Sequence, residues 1–224
     1  WRNYIGAYYA LVTEIDHHIG RILEELEKAG LEQETIVIYI SDHGDFVGNH
    51  GMVEKCAAGH NVYEDILNVP LIIKYPGKTR EGKRVGELVT LADVLPTLIE
   101  VLDLKVPELK YPIQGASFAD ILLDLGGEGH EYIVSESWSQ ATVITENYKL
   151  GIMVDPTGLY PDRDYRDFGD MFFDRTRDPY ELENRIDDPE YQAVIEKLMG
   201  YYEEYVQNTP ATGRNELIEK HRNQ

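Results

Sequence analysis

Ile36-Val37-Ile38-Tyr39-Ile40 is a continuous apolar run that breaks at once into Ser41-Asp42-His43-Gly44-Asp45. A short β-branched run without polar alternation suits a strand buried on both faces of a parallel sheet. In an open α/β sheet, ligands are taken at the carboxyl ends of the strands. A carboxylate and an imidazole therefore stand where such a fold places its chemistry. A second run, Val69 to Ile73, closes at Tyr75-Pro76-Gly77. The connection between the runs is longer than compact domains usually carry without a function, so functional residues are sought there.

The flanking segments support an α/β reading. Ile5, Tyr8, Val12, Ile15, Ile19, Ile22 and Leu26 recur at steps of three and four, which predicts an amphipathic helix. Gly30 is placed to end it, and Glu24, Glu25 and Lys28 fall on its solvent side. Asp93 is expected to cap a helix carrying Leu95, Leu98, Ile99 and Leu102, with Pro96 tolerated in the first turn. After Gly126-Gly127 the pattern changes to short strands at Tyr132–Trp138, Ala141–Thr145, Tyr148–Val154 and Met171–Phe173. A last helix starts at Asp188-Pro189 and buries Tyr191, Ile195, Leu198, Tyr202 and Tyr205. The predicted division is an α/β part over 1–127 and a small α+β subdomain over 128–224, an antiparallel sheet with one helix against it. Trp1 runs almost directly into a helix, an abrupt start that suggests further sequence upstream.

The 41 acids and 21 bases, a formal charge of −20, argue against a nucleic-acid partner, whose phosphates need clustered Lys and Arg. The same surface would repel a sulfated or phosphorylated ligand, so a site for one must concentrate positive charge locally through a metal ion and a few bases. One cysteine, Cys56, excludes an internal disulfide and a thiolate-rich zinc site. No apolar run is long enough to cross a bilayer and no signal segment stands at the start, so a soluble chain without membrane contact is expected, its compartment open. The Asp-rich stretch Asp162–Asp170 departs from a calcium loop at Arg166 and Asp167 and reads as a solvated loop.

Asp42 and His43 on a rigid strand end, beside a glycine that lets the backbone turn, suit a divalent cation, although Asp42 could instead cap the following turn. The loop continues Gly48-Asn49-His50-Gly51 and reaches Lys55, which could fold back to give a tetrahedral anion its point charge. His50 could donate to the same anion or brace the loop. A zinc cluster of His43, His50 and His60 is a further option, and Cys56 is conceivable as a reactive thiol without an evident base.

The series Ser41-Asp42-His43-Gly44-Asp45, Gly48-Asn49-His50-Gly51, Lys55, Tyr63-Glu64 and Val69-Pro70-Leu71-Ile72-Ile73 with Pro76-Gly77 resembles the second signature region of the sulfatase family, in the alkaline phosphatase superfamily. The resemblance continues through Asp16, Ile19, Gly20, Arg21 and Leu23 before it, and through Asp93–Leu98 and Gln114–Ser117 after it. Tyr148-Lys149-Leu150, Phe173-Asp174, Asp178-Pro179, Glu181 and Asn184 are similar to the family's closing hairpin and tail. It implies the C-terminal part of an alkaline-phosphatase-like mixed or parallel sheet between helices. It also implies sulfuric ester hydrolysis, with Asp42 and His43 as metal ligands and Lys55 on the sulfate and leaving-group oxygen. The implied metal is calcium, or manganese or zinc in phosphonate and phosphate ester relatives. The family's formylglycine nucleophile comes from a Cys/Ser-x-Pro/Ala-x-Arg motif. Cys56, followed by Ala57-Ala58-Gly59, does not match it, so that group is expected in an N-terminal part not present here, and the chain alone is expected to be inactive. The implied substrates are sulfate ester small molecules or sulfated glycans, and an exposed apolar face could support a homo-oligomer. A phosphate or phosphonate monoester hydrolase and a non-catalytic binding module are the alternatives.

Overall fold

The computed structural model describes residues 1–55, 61–137, 140–153 and 169–209. They form two compact units, one from Trp1–Gly86 with Asp120–Gly126, the other from Glu87–Ala119 with Gly127 onward.

The first unit opens with helix α1, Arg2–Lys28, which ends as Gly30 predicts. Gly30 adopts a φ of 71°. Its N–H donates to Glu27 O at 2.9 Å and that of Leu31 to Leu26 O at 3.1 Å, the paired bonds of a Schellman stop. Lys28 bonds Glu25 at 2.8 Å on the solvent side. Strands β1, Val37–Ile40, and β2, Leu71–Lys74, pair antiparallel, with Val37 opposite Lys74 and Ile40 opposite Leu71.

This corrects one expectation: the apolar run is not buried on both faces here, and its observed partner is antiparallel. Tyr39 and Ile40 are each 42% exposed and Ile72 63%. Among the described residues only two strands form this sheet, so its apolar side chains lack the covering layers that a doubly wound sheet supplies. The stripe of α1 is likewise uncovered, with Val12, Ile15 and Ile22 exposed. The buried apolar residues of this unit instead include Phe46, Val62 and Ile66, around the connection between the strands and the short helix α2, Glu64–Leu67.

The second unit begins at a helical turn, 91–93, that runs into α3, Val94–Val101. Asp93 is not the side-chain cap expected of it. Thr90 is the cap, closing a box with Asp93 three residues on. The Asp93 carboxylate is buried, accepting from Thr90 N–H at 2.6 Å, Ala116 N–H at 2.8 Å and His130 Nε2 at 2.9 Å. The chain passes between the units at α4, Ala119–Leu122.

Four antiparallel strands follow in sequence order: β3, Ile133–Ser137, β4, Gln140–Ile144, β5, Tyr148–Met153, and β6, Met171–Asp174. They reproduce the predicted small sheet, with Trp138 and Val154 outside the described residues. The last helix also starts as predicted. Asp188 accepts from Glu190 N–H at 3.0 Å with Pro189 at the first position, and a helical turn leads into α5, Gln192–Asn208. Tyr191, Ile195 and Leu198 pack on Val143, Leu150, Ile152 and Phe172 to form the core. Burial pushes the Asp174 carboxyl up, but hydrogen bonds from Thr176 and Tyr191 outweigh it and hold the group below its usual range. No helix among the described residues is long and apolar enough to cross a membrane.

Candidate active site

At the end of β1 the backbone turns within three residues. The His43 N–H donates to Asp42 Oδ1 at 3.0 Å, and the Ser41 hydroxyl donates to His43 O at 2.9 Å. His43 Nδ1 lies 2.8 Å from Gly44 O. A carbonyl can only accept, so Nδ1 carries the proton and Nε2 presents its lone pair outward. Asp42 Oδ2 lies 3.6 Å from that Nε2, and Lys55 Nζ lies 3.3 Å from it. The strand end and the far end of the glycine loop thus bring Asp42, His43 and Lys55 together, with Asp42 and Lys55 exposed.

Lys55 returns because the loop closes on itself. Phe46 N–H donates to Glu54 O at 3.0 Å, and Gly48 N–H to Met52 O at 3.0 Å. Asp45 Oδ1 accepts the Val47 N–H at 2.8 Å, while the buried Phe46 ring anchors the base. Closing so tightly needs left-handed residues. Gly48 and Gly51 supply two, and Val47, His50 and Glu54 hold φ near 50° despite their side chains. Left-handed backbone at a β-branched residue is costly and persists only where the surroundings impose it. From α1, Tyr8 packs into this region: burial first, and then the Asp45 carboxylate, push its phenol above the ordinary value, so it stays protonated.

His50 occupies the wall of the loop. Its ring stacks on Tyr63 with centroids 4.0 Å apart and meets the Phe46 ring edge-on at 6.1 Å. Its Nε2 is 3.5 Å from Asp65 Oδ2, and Asn49 donates to the other carboxylate oxygen. Asp65 had no role in the sequence reading. The available signal was Tyr63 followed by two acids at the start of a helix, a weak one because acids are common there.

Gly44 is the tightest point. Its N–H donates to Ile66 O at 2.9 Å, and a Cβ added to it would fall 1.8 Å from Asp65 O. Gly44→Ala should therefore push α2 away from the strand end and cost about 3 kcal/mol. Urea denaturation measures this, and an unchanged midpoint would contradict the packing described.

As a cation site the residues fit in part. Asp42 and His43 offer an oxygen and a nitrogen that can face one point, but among the described residues no three His, Cys, Asp or Glu side chains gather to hold a metal ion. A calcium ion takes roughly six to eight oxygens, so these two would be a minority of its shell. His60 and Cys56 lie outside the described residues, as does most of the Asp162–Asp170 stretch, so the three-histidine reading rests on His43 and His50 alone.

Residues 2–104 match the Sulfatase family model. The arylsulfatase of Clostridium perfringens is 32% identical over 197 residues, covering 86% of this chain and 38% of the relative. A putative sulfatase from Bacteroides thetaiotaomicron superposes with a TM-score of 0.78 at 27% identity, covering 92% of this chain and 43% of that one. A structure in complex with its substrate D-glucosamine-2-N,6-O-disulfate superposes with a TM-score of 0.73 at 28% identity, covering 89% and 40%. These structures place the fold in the alkaline-phosphatase-like α/β class. Within that class, residues 2–104 carry the match to the Sulfatase family, and sulfatases are similar to this chain along most of its length. It spans about two-fifths of the length of these relatives.

Proposed function

We propose that the protein carrying this chain hydrolyses sulfate esters, and that these residues contribute one side of its anion and metal site. The observation that carries the reading is the meeting of Lys55 Nζ, His43 Nε2 and Asp42 Oδ2 at one strand end. Asp42 and His43 would hold a calcium ion, with manganese or zinc as the options in a phosphate or phosphonate esterase. When bound, the ion supplies positive charge to a sulfuryl oxygen. Lys55 would place its ammonium against the sulfate and the leaving-group oxygen, where charge grows as the ester bond breaks. The Lys55–His43 contact and a cation draw on the same Nε2 lone pair, so occupancy of the metal site would free Lys55 for the anion. The Gly44 carbonyl accepts from Nδ1–H and so leaves the Nε2 lone pair to face the cation. His50 would brace the loop or donate to the same anion, and its packing on Tyr63 supports the first role.

The nucleophile, a formylglycine in this reading, would come from outside these residues, and the isolated chain would turn over little. The substrates would be sulfated small molecules or glycans. The exposed apolar residues of α1 and the first sheet would be covered by the rest of an α/β catalytic domain or by a second copy of the chain. A catalytic part over 1–127 and a subdomain over 128–224 remain the proposed division.

The native protein carrying this chain is expected to release sulfate from an aryl sulfate with calcium present. Asp42→Asn should raise the calcium concentration for half-maximal rate roughly tenfold or more, since even the outer partners of a metal ligand are worth that much. Turnover of an aryl phosphate without any sulfate release, or no turnover of either ester, would overturn the sulfatase reading.

A further inference from the structure

We infer that Asp65 is a positioning residue that sets where Lys55 stands relative to His43 and Asp42. The inference rests on the hydrolase reading for its effect on rate, but its geometry stands independently.

Asp65 reaches both arms of the site from one place. Through its backbone, the first turn of α2 holds the strand end: Ile66 O accepts the Gly44 N–H at 2.9 Å, and Asp65 O lies where a side chain on Gly44 would have to be. Through its carboxylate, the same turn holds the loop, one oxygen accepting from Asn49 and the other lying 3.5 Å from His50 Nε2. The neighbouring Tyr63 ring supports this grip by stacking on His50. His43 precedes Gly44 and Lys55 follows the closed loop, so the two functional side chains lie on opposite sides of what Asp65 joins. The distance between them, 3.3 Å, crosses a loop with left-handed Val47, His50 and Glu54. Such a loop has more relaxed conformations available, and something outside it must hold the strained one. The Asp65 carboxylate is only 21% exposed and the His50 side chain 12%, so water competes weakly for the contact.

The carboxylate does not touch the proposed reaction centre, so its effect should reach the rate through Lys55. A misplacement of about 1 Å in a catalytic group costs up to ~10²-fold in rate. Asp65→Asn retains the oxygen for Asn49 but sets an amide against His50, and Asn49→Ala removes the other link while leaving the carboxylate.

The test uses the native protein with isotope-labelled histidine, and compares Asp65→Asn, Asn49→Ala and Lys55→Ala. Steady-state kinetics with an aryl sulfate should show kcat lowered roughly 10- to 100-fold in Asp65→Asn with KM changed far less. The ¹⁵N resonance of His43 Nε2 is recorded after divalent metal has been removed by chelation, so that Lys55 holds its lone pair. It should move in Asp65→Asn towards its position in Lys55→Ala, because both variants remove the Lys55 hydrogen bond. Asn49→Ala should move it in the same direction, and it serves as the test if Asp65→Asn does not fold. A wild-type His43 resonance in the folded variants would overturn the inference. If the resonance moves in Asp65→Asn while Lys55→Ala retains its rate, the positioning role stands and the hydrolase reading falls.

Discussion

Lys55→Ala in the native protein is expected to lower kcat for an aryl sulfate by roughly 10²- to 10³-fold, the cost of removing one preorganised donor from a site of developing charge. Lys55 is exposed, and the hydrogen bond observed for its ammonium joins it to His43, so the substitution removes no buried packing. Surface changes of this kind stay within about 0.5 kcal/mol of stability. Rate and fold should therefore separate, with thermal unfolding unchanged while turnover collapses. Lys55→Arg should recover little, because a planar guanidinium with its charge spread over three nitrogens cannot put a compact charge at the same point. A rate within about twofold of wild type for Lys55→Ala would remove this residue from the mechanism, since the proposed charge would then stabilise nothing in the transition state.

Phe172→Ala is expected to have the largest effect on stability, about 3–5 kcal/mol, as is usual when an aromatic ring is deleted from a filled core. Phe172 is fully buried in β6, where its ring lies 5.1 Å from that of Tyr191 and 5.7 Å from that of Tyr148. Val143, Leu150, Ile152, Ile195 and Leu198 complete the cluster, so the lost ring faces both the sheet and α5. Neighbours held in strands and a helix cannot easily collapse into the space. Its backbone is also committed, with the N–H donating to Asn184 Oδ1 at 2.9 Å and the carbonyl accepting from Arg185 N–H at 2.9 Å. Calorimetry should show the melting temperature falling by roughly 10 °C. A fall of only a degree or two would mean that the ring is not the keystone of this core.

Much of the second unit was legible because its determinants are local. Asp188-Pro189 marks a helix start through bonds made within three residues, and the stripe Tyr191, Ile195, Leu198 follows from helical period alone. Gly30 ends α1 for an equally local reason, the absence of a Cβ at a left-handed position. The reading of Asp93 failed within the same range. Thr90 and Asp93 form the capping box, and because both residue types serve as caps, composition alone does not separate the two. Its contacts with Ala116 and His130, 23 and 37 positions away, leave no local trace.

The amino-acid sequence by itself determined the kinds of element, their stops, and the chemistry available at the end of β1: a carboxylate, an imidazole and a lysine in order along one glycine-punctuated connection. Periodicity, capping and residue type act over a few positions and survive in any arrangement of the chain. Only the tertiary structure decided that β1 pairs antiparallel with β2, that Lys55 comes back to His43, and that the first turn of α2 meets both arms, the loop through the Asp65 carboxylate and the strand end through the Ile66 carbonyl. Those outcomes depend on how a loop with left-handed residues closes against α2, a balance of strain and packing among residues distant in sequence.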